Sequence, residues 1–293
     1  MHMCAYLLLF LHKTVSRMYP LFSNEVLPQG RYRVRLTEDS YKNLNIKTRG
    51  VKEYNDGLFA DDIWPGAVVL SDFLCEHPYL CANRRVVELG AGGALPSLVA
   101  LALGAIESLI TDYPGSGILE NIQELLRNNN LWNPGQVCVA GLKWGQNVDL
   151  QGVVTADGVC ETRPINSYFD LIILAELLWR DTYPLHGALL DTVTRLMGPG
   201  CNTTVLCSFA HRPTEQHTPV HDLEFLRLAE SKHDLLCEKV LSRWVPDASG
   251  GGGYDQYTNR GAVSELADDV REKLDAGLVE VHLYKITRKV APG

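Results

Sequence analysis

The sequence has no excess of positive charge, no Cys-x-x-Cys pair and no apolar run of bilayer-spanning length. Its 27 Lys and Arg residues are outnumbered by 35 Asp and Glu residues, which gives a formal net charge of -8. Proteins that grip nucleic acid nonspecifically do so through many Lys and Arg contacts to phosphate, so this balance argues against a nucleic-acid partner. An acidic protein is better suited to a basic partner.

The eight cysteines are scattered among apolar segments without a regular spacing. Zinc sites and disulfide frameworks both depend on such spacing, so we predict reduced core cysteines in a cytoplasmic protein. Three histidines cluster at His211, His217 and His221, but their intervals fit no usual set of metal ligands. We therefore predict no metal site.

The first 57 residues lack the alternating strand and helix patterns of the rest of the chain. Residues 4–11 are apolar, but this stretch is too short to span a bilayer, so no membrane partner is expected. We expect residues 1–17 to be an extension or an alternative-start segment. Residues 18–57 are predicted to hold a small β-hairpin, with strands at 31–36 and 44–47, and residues 58–293 to form one domain.

From residue 64 onwards, strand and helix patterns alternate, which predicts a parallel sheet with helices on both faces. The last strand follows a glycine-rich loop and one amphipathic helix, and we expect it to run antiparallel. The predicted fold is therefore α/β and Rossmann-like, with a doubly wound, seven-stranded, mostly parallel sheet. The strands are predicted at 86–89, 108–111, 137–140, 169–175, 203–209, 237–244 and 279–288.

A glycine turn follows the first of these strands, and one expected glycine is missing from it. A dinucleotide site needs the pattern G-x-G-x-x-G, in which Gly90 and Gly92 fill the first two places, but Leu95 stands at the third. Glu88, two residues before the turn, would repel a phosphate. The next strand ends in a second carboxylate, Asp112. The turn therefore does not fit a dinucleotide.

S-adenosylmethionine fits the same residues better because it carries no phosphate. Its ammonium group suits Glu88, and its ribose hydroxyls suit Asp112. Gly90 and Gly92 let the backbone approach a ligand closely. We predict an S-adenosylmethionine site here, and the alternative is an ordinary strand-to-helix turn in another α/β protein.

Four short motifs follow one another along the chain: ELGAG at 88–92, TDYP at 111–114, AELLW at 175–179 and FAHRP at 209–213. Together they resemble the seven-β-strand (class I) S-adenosylmethionine-dependent protein-lysine methyltransferases. Within that family, the resemblance is closest to the fungal group that methylates the N-terminus and a nearby lysine of translation elongation factor 1-alpha, formerly labelled nicotinamide N-methyltransferases.

The resemblance implies a set of site residues. Glu176 and Trp179 would be catalytic. The family motif after the fourth strand commonly begins with aspartate and ends in tyrosine or phenylalanine, so both residues depart from it. The implied cofactor-binding residues are Trp64, Glu88, Gly90, Ala91, Gly92, Asp112, Tyr113, Trp144 and Ala175.

Methyl transfer to nitrogen requires an unprotonated amine, which costs ~4 to 5 kcal/mol for a lysine at pH 7 but only ~1 kcal/mol for an N-terminal amine. Glu176 can accept a hydrogen bond from this amine, and Trp179 can provide an aromatic wall beside it. The alternative roles are structural, with Trp179 in the core and Trp144 an ordinary buried tryptophan.

Three functions follow from this reading. The first is a monomeric N-methyltransferase that acts on a lysine or the N-terminal amine of a basic protein, such as a translation elongation factor. The second is a small-molecule, nicotinamide-like N-methyltransferase. The third is a non-catalytic binding module that keeps the fold.

Overall fold

The computed structural model describes residues 23–27, 31–35, 63–114, 117–145, 149–154, 160–164, 168–178, 182–199, 202–210, 220–246, 272–273 and 276–289. Five parallel strands form the centre of its main sheet. Because the helices cover both faces, nearly all residues of these strands are buried and most are apolar. They are β3 (Arg85–Leu89), β4 (Glu107–Asp112), β5 (Val137–Gly141), β8 (Leu171–Ala175) and β9 (Thr204–Ala210).

Two further strands, β10 (Leu235–Pro246) and β11 (Leu278–Arg288), complete the predicted seven. The strand order is β10-β11-β9-β8-β3-β4-β5, and β11 pairs antiparallel with both of its neighbours. The prediction of a mostly parallel sheet with an antiparallel last strand is therefore confirmed.

Two hairpins lie outside this seven-strand order. Strands β6 (Asp149–Val154) and β7 (Cys160–Pro164) pair with each other and extend the sheet beyond β5, which the sequence patterns did not predict. Near the start of the chain, β1 (Ser23–Leu27) pairs antiparallel with β2 (Arg31–Arg35). The second of these matches the predicted strand at 31–36, whereas the predicted strand at 44–47 lies outside the described residues.

Helices cover both faces of the sheet. On one face, α1 (Pro65–Glu76), α2 (Leu95–Ala102) and α3 (Ile118–Asn128) pack on one apolar cluster. On the other face, α4 (His186–Met197) and α5 (Val220–Lys232) pack on a second cluster. The predicted amphipathic helix before the last strand falls almost wholly outside the described residues. In the part of the chain that is described, no helix has the length and apolar character needed to cross a membrane.

Proline sets the start of the helix that borders the site. Pro65 occupies the first turn of α1, where its missing N–H removes no helical hydrogen bond. Trp64 is the N-cap residue, and its carbonyl accepts hydrogen bonds from the Ala67 and Val68 amides. Trp64 is thereby held at the end of α1 that faces the carboxyl ends of the strands.

Candidate active site

The carboxyl ends of the parallel strands bring the predicted site residues to one edge of the sheet. Glu88 lies in β3, Asp112 ends β4, Trp144 follows β5 and Glu176 follows β8. In open α/β sheets, ligands bind at this edge. The topology therefore gathers residues that are far apart in the sequence.

The glycine turn after β3 has the backbone that its composition predicts. Gly90 and Gly92 have φ angles of 61° and 49°, in the left-handed region that favours glycine. A Cβ atom at Gly90 would lie 2.5 Å from Cδ2 of Leu177 and 3.4 Å from Cζ2 of Trp144. The Ala91 amide donates to the Thr111 carbonyl at 2.9 Å, which ties the turn to β4.

Asp112 holds this turn through its carboxylate. Oδ2 accepts a hydrogen bond from the Gly92 amide at 2.7 Å, and Oδ1 accepts one from the Tyr113 amide at 2.6 Å. Burial raises the pKa of Asp112, and the two amides oppose that rise. The side chain is thus a structural part of the turn as well as a candidate ligand for ribose hydroxyls.

Glu88 is buried beneath the turn, with only 1% of its surface exposed. One carboxylate oxygen accepts a hydrogen bond at 3.0 Å from the Ser97 amide in the first turn of α2, where the helix dipole favours negative charge. Burial nevertheless raises the pKa of Glu88 to about 8, hydrogen bonding from Ser97 opposes the rise, and the Asp112 charge adds to it.

Aromatic residues flank the turn on the side of β4 and β5. The half-buried Trp144 places its indole against Gly90. Tyr113 is 48% exposed, and the Lys143 ammonium lies 5.3 Å from the centre of its ring. Both rings belong to residues that the resemblance implies for the cofactor site.

Glu176 is tied to two other elements. It is buried and has a φ of 56°, which is unusual for a residue other than glycine. Oε1 accepts a hydrogen bond from the Gly66 amide at 2.8 Å, and Oε2 accepts one from the Ala210 amide at 3.4 Å. The Ser208 hydroxyl donates to the Gly66 carbonyl at 2.9 Å. The carboxylate thus joins the end of β8 to the start of α1 and the end of β9.

The remaining predicted residues divide into two groups. Ala175 is the last residue of β8 and is half-buried, and Trp64 stands at the start of α1 beside the Glu176 tether. Trp179 lies outside the described residues, so its catalytic role stays a prediction. Within the described ranges, no group of three or more His, Cys, Asp and Glu side chains is placed to hold a metal.

Three contributors were missed by the sequence reasoning. Gly66 has no room for a side chain, because a Cβ atom there would lie 2.8 Å from Cγ of Glu176. Thr192 and Ser208 are fully buried; Thr192 bonds to Gly145 in the loop after β5, and Ser208 bonds to Gly66 in the first turn of α1. The available signals were a glycine in the first turn of a helix and hydroxyl residues at core positions of a helix and a strand.

The sheet has an antiparallel strand, β11, next to its parallel strands, and a glycine turn follows β3. These two features define a Rossmann-like α/β fold of the methyltransferase class. The lysine methyltransferase family matches residues 42–231, which is more than half of the chain. The chain belongs to this family.

Similar proteins agree with that assignment. The protein N-terminal and lysine N-methyltransferase EFM7 of Cryptococcus neoformans is 32% identical over 206 residues, which cover 64% of this chain and 64% of that protein, just under two thirds of its length. Its counterpart in Candida glabrata is 31% identical over 216 residues, covering 72% of this chain and 76% of that protein. Among solved structures, the YcgJ protein of Bacillus subtilis has a TM-score of 0.50 at 13% identity, covering 76% of this chain and 100% of that one, and shows the same fold.

The residues at this edge fit S-adenosylmethionine. Glu88 and Asp112 are buried carboxylates with raised pKa values on one glycine turn, and the hydrogen bonds described for them come from backbone amides. An ammonium group and ribose hydroxyls would supply the charge and the donors that such carboxylates accept. A pyrophosphate would instead add negative charge to the same place.

Glu88 makes stability depend on pH. Its pKa rises from 4.5 to about 8 on folding, so the folded protein binds the extra proton between these values. The contribution of Glu88 to the free energy of unfolding therefore falls as the pH rises from about 5 to about 8. We expect Glu88→Gln to reduce this fall by on the order of 3 kcal/mol, as measured by urea denaturation across that range.

The comparison of the two proteins isolates Glu88, together with its electrostatic coupling to Asp112, from the other groups. The pKa of Asp72 is also raised, to about 6, but this group contributes equally to both proteins. Parallel pH curves for wild type and Glu88→Gln would show that Glu88 keeps an ordinary pKa. Calorimetry gives a second reading, because an ammonium held by Glu88 favours its ionised form. S-adenosylhomocysteine should then release a proton from wild type near pH 7, and less from Glu88→Gln.

Proposed function

We propose that this chain is an S-adenosylmethionine-dependent N-methyltransferase that acts on a lysine or the N-terminal amine of a basic protein. The pair of buried carboxylates at the glycine turn, Glu88 and Asp112, is the observation that carries the proposal. The family assignment and the names of the fungal relatives support an amine of a protein as the acceptor. A translation elongation factor, a monomeric enzyme and a cytoplasmic location complete the proposal.

In this proposal, the position of each site residue determines which part of the cofactor it contacts. The glycine turn, Glu88 and Asp112 would hold the methionine end and the ribose, and Trp144 and Tyr113 would border the adenine. The bound cofactor supplies an activated methyl group. The chain's own task is then to bring an unprotonated amine into line with it, since positioning is the main source of acceleration in such a displacement.

Glu176 stands on the acceptor side of this arrangement. Its Oε1 is committed to the Gly66 amide, and an incoming amine would share Oε2 with the Ala210 amide. A carboxylate also stabilises the ammonium form, so the site must in addition favour loss of the proton. The N-terminal amine, with the lower pKa, makes the smaller demand on the site.

The direct test is transfer of a labelled methyl group. The full chain is incubated with labelled S-adenosylmethionine and an extract of cells depleted of methylation, and protein and acid-soluble fractions are counted separately. We expect label in a protein band. Peptides of that protein, with the N-terminal amine either free or blocked, then serve as substrates: a lysine acceptor is labelled in both, and an N-terminal acceptor only in the free peptide. Label in the acid-soluble fraction would support a small-molecule enzyme. Binding of the cofactor without any transfer would support a binding module.

A further inference from the structure

Thr192 on α4 contacts the segment that carries Trp144, although it lies on a different element. Its side chain is fully buried among apolar residues, where a hydroxyl must find hydrogen-bond partners. Oγ1 accepts a hydrogen bond from the Gly145 amide at 2.8 Å and donates one to the Ala188 carbonyl at 2.9 Å. The hydroxyl therefore donates a hydrogen bond within the helix and accepts one from the loop.

The described part of the loop after β5, residues 142–145, is held at both of its ends. The Leu142 amide donates to the Asp112 carbonyl at 2.8 Å, and the Gly145 amide donates to Thr192. Trp144 lies between these bonds, with its indole against Gly90. Among the described residues other than its chain neighbours, no heavy atom lies within 4 Å of where a Cβ atom of Gly145 would be. No such residue therefore packs against Gly145 on that side, and the bond to Thr192 is the contact that holds its amide.

We propose that Thr192 is a positioning residue for the cofactor, because it sets the indole of Trp144 against the glycine turn. This inference rests on the proposed function, in which Trp144 borders the adenine. Threonine suits the place because its methyl group packs in the core and its χ1 angle is restricted.

The test uses two threonines of one helix. Thr194 is half-buried, and its hydroxyl bonds to the Leu190 and Asp191 carbonyls of the same helix. We expect Thr192→Val to weaken binding of S-adenosylhomocysteine and raise the KM for the cofactor by about fivefold to tenfold. The kcat at saturating cofactor should change by less than about twofold. Thr192→Ser should restore the affinity, and Thr194→Val should leave it unchanged.

A double-mutant cycle with Trp144→Phe separates positioning from a general loss of stability. If Thr192 acts through the indole, Thr192→Val should cost less affinity in the Trp144→Phe background than in wild type. Equal costs in both backgrounds would overturn the inference, as would equal affinities for Thr192→Val and Thr194→Val. If wild type itself fails to bind S-adenosylhomocysteine, the proposed function fails instead.

Amide hydrogen exchange tests the bond between Gly145 and Thr192 even if Thr192→Val does not fold. In the unmodified protein, the Gly145 amide should be protected by its bond to Thr192. Protection should increase when S-adenosylhomocysteine binds. Exchange of this amide at the rate of an exposed loop would overturn the inference.

Discussion

Replacing Asp112 with alanine is expected to weaken binding of S-adenosylhomocysteine by about a hundredfold or more. The substitution removes the acceptors of the Gly92 and Tyr113 amides, so the glycine turn loses its tether to β4. Under the proposed function, it also removes the ligand of the ribose hydroxyls. A hydrogen bond to a charged group contributes about 1.5 to 3 kcal/mol, so the loss of the bonds to two ribose hydroxyls reaches the stated effect. Isothermal titration calorimetry measures it.

Asp112→Asn and a distant aspartate refine this result. Asparagine keeps one oxygen acceptor, but its amide group cannot accept from a backbone N–H, so an intermediate affinity is expected. Asp234 provides the control, because its side chain is 84% exposed and it precedes β10. Asp234→Asn should bind as wild type does. An Asp112→Ala protein that keeps its affinity would remove Asp112 from the cofactor site.

The central sheet and the glycine turn after β3 could be predicted from the sequence because short, local residue patterns specify both. Val87 and Ile172 belong to short apolar runs that only a sheet covered on both faces can bury, and they pair directly in register. Gly90 and Gly92 are needed for positive φ angles, and Asp112 follows at the end of the next strand. Each of these signals lies within a few residues, so a single sequence reveals it.

The tethers of the site could not be predicted in the same way. Gly66 and Glu176 are 110 positions apart, and Gly145 and Thr192 are 47 apart. Their contacts depend on the order of the strands and on how α1 and α4 pack against them. The hairpin of β6 and β7 was missed for a related reason. Among the described residues, one pair of the strand ladder, Gly141 with Gln151, joins it to β5, so its position depends on the completed sheet.

Glu176 presents two separable roles, which explains why glutamate in place of the usual family aspartate is significant. One role is structural, because Oε1 accepts the buried Gly66 amide at 2.8 Å and thereby fixes the start of α1 beside Trp64. The other is the proposed contact of the charged group with the substrate amine. An aspartate is one methylene shorter and would withdraw its carboxylate from Gly66. The glutamate therefore adds a connection that the shorter side chain cannot make.

Two substitutions at this position are expected to separate the roles. Glu176→Gln keeps an oxygen for Gly66 but loses the charge, so kcat/KM for the protein substrate should fall by about a hundredfold. Its affinity for S-adenosylhomocysteine should stay close to wild type, and its stability should fall less than that of Glu176→Asp, because only the longer bond from the Ala210 amide, at 3.4 Å, is lost. Glu176→Asp keeps the charge but leaves the Gly66 amide buried without this acceptor, which costs about 1 to 3 kcal/mol of unfolding free energy. Steady-state kinetics and urea denaturation provide the two measurements.

The backbone supports this interpretation of the aspartate variant. Aspartate tolerates a positive φ better than most residues, so the φ of 56° at position 176 should not itself destabilise Glu176→Asp. Glu124→Gln, an exposed change on α3, is the matched control and should alter neither quantity. If Glu176→Gln retained full activity, the carboxylate would serve only to join α1 to the sheet, and the acceptor amine would have to be held by other groups. If Glu176→Asp were as stable as wild type, the bond to Gly66 would contribute nothing, and the longer side chain would need another explanation.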